Sequence, residues 1–68
     1  MSAPIYEALL ACDEQLYLPG GDLPGATAAL RAIVAQDPDE ARAMLDNLQG
    51  CRRTVYRHAR FLREALQE

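Results

Sequence analysis

The chain has no lysine, one histidine and only two cysteines in 68 residues, and no proline follows Pro38. Each scarcity removes a class of function. Cys12 and Cys51 are far apart in sequence with no Cys-x-x-Cys spacing. That argues against both a zinc site and a disulfide scaffold, and the pair is expected to serve as small buried hydrophobes. His58 has no companion ligands at matching spacing, so no metal centre is expected. The glycine-rich stretch Leu18-Pro19-Gly20-Gly21-Asp22-Leu23-Pro24-Gly25 lacks the preceding strand and the lysine of a phosphate-binding loop, and reads as a turn. Asp13-Glu14 and Asp39-Glu40 are adjacent pairs, which point about 100° apart on a helix and cannot flank one substrate bond. The expectation is a protein that is not an enzyme and holds no cofactor. No apolar run approaches the roughly 18 residues of a membrane span, so the sequence reads as soluble and cytoplasmic, with no membrane partner.

What is present is apolar and acidic. Half of the residues are hydrophobic, which opposes disorder as the default. Much of that half is alanine, which contributes little burial. A chain of this length forms a single small domain over residues 1–68 and buries only about 60% of its unfolded surface. Large apolar side chains are few, and a homodimer or a hetero-complex, with the third helix as a main contact, is expected to supplement the core. The formal net charge is −3. Residues 1–50 carry eight acids against Arg31 and Arg42, a balance of −6, whereas residues 51–68 carry five arginines against Glu64 and Glu68, a balance of +3. A GC-rich coding bias accounts for arginine in place of lysine without any functional cause.

Helical periodicity runs throughout, and the fold class predicted is all-α with three helices. Ser2 caps the first, with Pro4 in its opening turn. Ile5, Leu9, Cys12 and Leu16 then recur at spacings of four, three and four, which marks one buried stripe. Tyr6, Leu10 and Tyr17 widen it, and Pro19-Gly20-Gly21 ends the helix near residue 18. A second helix, over about 23–36, starts at an Asp22 cap and presents Ala26, Leu30, Ile33 and Val34. Together they form an antiparallel pair. The third start signal is the strongest: Asp37 at the N-cap, Pro38 at the first helical position and Glu40 as the capping-box acid. Beyond it, Ala41, Met44, Leu48, Cys51, Val55, Ala59, Leu62 and Leu66 fall in an arc of roughly 80°. That seam predicts one long C-terminal helix from 38 to about 66. Unbroken, it would rise about 45 Å and protrude from a 68-residue body whose radius of gyration should be near 11 Å. Either Gly50 breaks it, or its far end packs on another chain; the second is expected.

Residues 17–38 carry Tyr17, then Gly21-Asp22 at a turn, Ala26 at a small packing position, Leu30 at a bulky one and Asp37-Pro38 at the exit. In this the segment resembles the second half of a tetratricopeptide repeat, with Ala41 and Asn47-Leu48 continuing like a following helix. Asp13, Glu14 and Ile33 depart from the family pattern, and the chain has room for one such repeat plus a trailing helix. The resemblance implies antiparallel helix packing and a peptide-binding or assembly role.

The candidate interaction surface lies on the last helix. Arg52, Arg53, Arg57, Arg60 and Arg63 fall within about 140° of arc, with Tyr56 among them. Phe61 lies off the apolar seam and is either buried by the first helix or a contact for another subunit, the second being preferred. Such a stripe is either a solvated face, a contact with carboxylates, or a nucleic-acid surface. Carboxylates could come from an acidic protein partner or from the chain's own first two helices; arginine's planar fork binds them bidentately. Nucleic acid would use the arginines on phosphates and Tyr56 on a base. The acidic remainder of the chain and Asp37, Asp39 and Glu40 would repel a polyanion. The preferred functional reading is therefore a small protein–protein interaction module, an adaptor, assembly factor or regulator. Nucleic-acid regulation is the alternative.

Overall fold

The computed structural model describes residues 3–50 and 56–67, and among the described residues there are four helices, not three. They are α1 (Ala3–Tyr17), α2 (Leu23–Gln36), α3 (Pro38–Gln49) and α4 (Tyr56–Ala65), and no strand occurs among the described residues. The class is all-α, as the periodicity requires.

Local chemistry sets each junction. Pro19 and Gly20 occupy the centre of a tight turn closed by Gly21 N–H donating to Leu18 C=O at 3.0 Å. Gly20 has φ +71°, so the turn is of the type that needs glycine at its third position. Gly21 sits so close to the Gln15 carbonyl oxygen that a Cβ there would collide with it. Gln15 also reaches across the turn, its side-chain oxygen accepting from Asp22 N–H at 2.8 Å. Asp22 then caps α2 by accepting from Gly25 N–H at 2.9 Å, with Pro24 in the first turn.

Between α2 and α3 there is a single residue. Asp37 closes α2 by donating its N–H to Val34 C=O, and opens α3 by accepting from Glu40 N–H at 3.2 Å. Because its backbone N–H already serves α2, the reciprocal half of a capping box is not made. Asp39 and Glu40 stand in the first turn, where acids suit the helix dipole.

The long C-terminal helix expected from the seam does not form. Helix α3 ends at Gly50, whose N–H donates to Asp46 C=O at 3.1 Å, and α4 packs back against α1, α2 and α3. Gly50 keeps a right-handed φ of −85°, so no left-handed glycine signals the stop. The physical reason is burial. Phe61 and Leu62 on α4 enter the core together with Ala59 and Ala65, and each large side chain contributes about 1.5–3 kcal/mol. Glycine in a helix interior meanwhile costs up to about 1 kcal/mol relative to alanine. Folding back therefore outweighs helical continuity. The longest dimension of the molecule is 32 Å and its radius of gyration 11.2 Å, so nothing projects as a 45 Å rod would. Cys51 and Val55 of the expected seam lie outside the described residues.

The core draws on all four helices: Ile5, Leu9 and Cys12 from α1, Leu30 and Val34 from α2, Ala41, Met44 and Leu45 from α3, with the α4 residues closing it. Leu45 is buried although it lies off the narrow seam, because α3 faces two neighbours. Leu62 is fully enclosed. Leu62→Ala should therefore lower the unfolding free energy by about 2–5 kcal/mol, and Arg63→Ala by less than about 0.5 kcal/mol. Urea unfolding followed by circular dichroism checks this; equal small effects would place α4 outside the core. At the turn, Gly21→Ala should cost more than about 1 kcal/mol in the same assay, since the clash is with backbone.

Candidate functional site: a cation-rimmed groove against α4

Asp13 lies near the end of α1, at the edge of its buried face, and its side chain is only 15% exposed. Two residues of α4 converge on it. Arg57 Nε–H donates to Asp13 Oδ1 at 2.6 Å, and His58 Nε2 makes a short hydrogen bond to Asp13 Oδ2. A carboxylate can only accept, so His58 carries its hydrogen on Nε2. One turn further along α1, the Tyr17 ring lies beneath the Arg57 guanidinium, 5.3 Å from ring centroid to carbon. Arg57 is thus held by a carboxylate and an aromatic face of the same helix.

The electrostatics of Asp13 follow from this geometry. Burial pushes its carboxyl up, but hydrogen bonds from Arg57 and His58, with the charges of both, outweigh burial and hold it below its ordinary value. Arg57 is correspondingly raised, first by its hydrogen bond to Asp13. Cys12, fully enclosed beside this cluster in sequence, has its thiol pushed up by burial and then by the Asp13 charge. A thiol so placed is a packing group rather than a nucleophile.

Beside the cluster a groove of about 420 Å³ opens between the end of α1, the start of α2 and the outer edge of α4. Leu16, Leu23, Pro24, Thr27 and Phe61 supply its walls, and Arg57, Arg60 and Glu64 its charged groups. Thr27 donates its hydroxyl to the Leu23 carbonyl at 3.0 Å, so that polarity is satisfied within α2. Leu16 belongs to the buried stripe of α1 by its spacing, yet 44% of it is exposed. The stripe continues past the core and becomes a groove wall.

The residues singled out from sequence are distributed unevenly. Arg57, Arg60 and Phe61 meet at the groove. Phe61 follows the less preferred of its two readings: it is buried in its own chain, and it lines the groove. Arg60 pairs with Glu64 one turn on, at 3.1 Å, and remains 73% exposed. Tyr56 is 87% exposed, and Arg63 is exposed in the last turn. Arg52 and Arg53 lie outside the described residues. Sequence reasoning missed Asp13 and Gln15, the residues that fix α4 and the α1–α2 turn. The available signal was an acid one position after a buried cysteine on an amphipathic helix.

Among the described residues no three potential ligands cluster as a metal site, and no helix is long and apolar enough to cross a membrane. No protein-family model matches the chain, and comparison with curated proteins and with solved structures finds no match.

The lowered Asp13 value has a stability consequence. The unfolded chain protonates Asp13 near the ordinary value of about 3.9, so its contribution is complete above about pH 5. It is lost as pH falls through the lower folded value. Asp13→Asn should cost about 1–3 kcal/mol at pH 7 and should flatten the loss of stability as pH falls below about 5. Chemical denaturation at a series of pH values measures both, and an unchanged acid slope would contradict the assignment.

Proposed function

We propose that this protein is a small protein–protein interaction module, an adaptor, assembly factor or regulator, that docks a partner through α4 and the groove beside it. The observation that carries the reading is the groove itself. It is a concave, mainly apolar surface of about 420 Å³ with a few convergent polar groups. It lies next to exposed Tyr56, Arg60 and Arg63, and Tyr and Arg are the residue types that most often anchor interfaces.

The resemblance of residues 17–38 to a tetratricopeptide repeat adds support, since α1 and α2 read as an antiparallel hairpin and such hairpins present grooves to peptides. Self-association is the other form the interaction could take. The apolar seam expected to drive it is largely engaged within one chain, with Ala41, Met44, Ala59 and Leu62 buried. What α1 leaves open is a stripe of Tyr6, Leu10 and Tyr17. Nucleic-acid recognition is the weaker reading. The first fifty residues balance to −6, and that acidity repels an extended polyanion.

The test is a pull-down from the native host with the full chain, its Arg60→Glu/Arg63→Glu variant and an Arg31→Glu control on α2. The α4 variant should lose the captured protein at least tenfold with unchanged circular dichroism, and the control should keep it. Equal capture by all three would overturn the reading.

A further inference from the structure

The groove also specifies what kind of partner it suits, and this step rests on the interaction-module reading above. Its two arginines are each committed through one atom only. Arg57 uses Nε on Asp13 and Arg60 uses Nε on Glu64. A guanidinium carries five N–H donors, and among the described residues the Nη groups of Arg57 and Arg60 donate to nothing. Arg57 is clamped by Asp13 and stacked on Tyr17, so its fork is held in place before any ligand arrives. Between these forks and α2 lies an apolar trough of Leu16, Leu23 and Phe61. Its polar side comes from α4, because the Thr27 hydroxyl is occupied.

We propose that the groove receives a segment of a partner protein in which a large apolar side chain stands beside carboxylates. The apolar group seats between Leu16, Leu23 and Phe61, and the carboxylates are bound by the Nη edges of Arg57 and Arg60. Charge complementarity argues for this occupant. Around the groove Arg57, Arg60 and Arg63 stand against Asp13 and Glu64, a local balance of +1, whereas the first fifty residues without Asp13 balance to −5. The net acidity of the first three helices disfavours an acidic segment there, so its docking position is favoured by exclusion as well as attraction. A basic segment would instead be drawn to the other helices. Glu64 is a resident carboxylate on Arg60, and an incoming one must share or displace it.

The experiment uses the full chain and three ten-residue synthetic peptides with a central Leu-Phe pair flanked by glutamates, glutamines or lysines. Binding is followed by two-dimensional amide NMR. The glutamate peptide should shift the amides of Leu16, Thr27 and Phe61 and bind at least tenfold more tightly than the glutamine one. Arg60→Glu should abolish that preference, and Glu64→Gln should tighten glutamate-peptide binding severalfold. Arg60 and Glu64 are both exposed surface positions, so neither variant threatens folding. Glutamine or lysine peptides binding as well as the glutamate peptide would overturn the acidic partner and leave the interaction module standing. So would groove shifts that grow with protein concentration alone, which would put a second copy there. No groove shift with any peptide at millimolar concentration would overturn the proposal. The separate pull-down would then decide whether α4 docks a partner by another route.

Discussion

Asp13 is where the C-terminal helix is fixed to the N-terminal one. Its carboxylate accepts from Arg57 and His58 across more than forty residues of sequence. Those donors are adjacent on α4, so holding both sets the rotation of the helix about its axis. With that rotation fixed, Phe61, Leu62 and Ala65 turn inward, and Arg60, Arg63 and Tyr56 turn out. The His58 side chain is 9% exposed, and its polar atom has a partner. Among the described residues no buried side-chain nitrogen or oxygen lacks one. A cluster of this kind contributes less to net stability than to uniqueness, because burying the ions offsets much of their attraction. Its effect here is to select one arrangement of α4 among the many that a short amphipathic helix could take.

The groove follows from two constraints meeting. The turn at Pro19-Gly20-Gly21, pinned by Gln15, fixes where α2 begins relative to the end of α1. The Asp13 cluster fixes α4 against the same end of α1. The three helices cannot close completely over Leu16, and the space left is lined by Leu23, Pro24 and Phe61. The proposed binding site thus lies on the border of the core rather than on the outer face of α4. Burial supplies apolar walls there, while Arg57 and Arg60 of α4 supply a rim.

Much of the fold was legible in the sequence where local rules decide. Asp22 and Asp37 cap helices, Pro24 and Pro38 sit in first turns, and Ile5, Leu9 and Cys12 are buried, because caps, proline geometry and a 3.6-residue period need only near neighbours. The break after Gly50 was not legible in this way. Gly50 is right-handed and no proline follows, so the decision rests on tertiary burial of Phe61 and Leu62, which a helical wheel of one segment cannot weigh. The arginine stripe was read as one surface. The structure separates Arg57, a strut bound to Asp13 and Tyr17, from Arg60 and Arg63, which face solvent. That distinction depends on an acid forty-four positions earlier in the chain. No periodicity encodes such a pairing.

The most direct measurement of this account is a double-mutant cycle on Asp13→Ala and His58→Ala, read by equilibrium denaturation at pH 7. If the carboxylate locks α4 to α1, the double variant should lose at least about 1 kcal/mol less than the two single losses added together. Strict additivity would mean that the two side chains do not act on each other, and the arrangement of α4 would then need another cause.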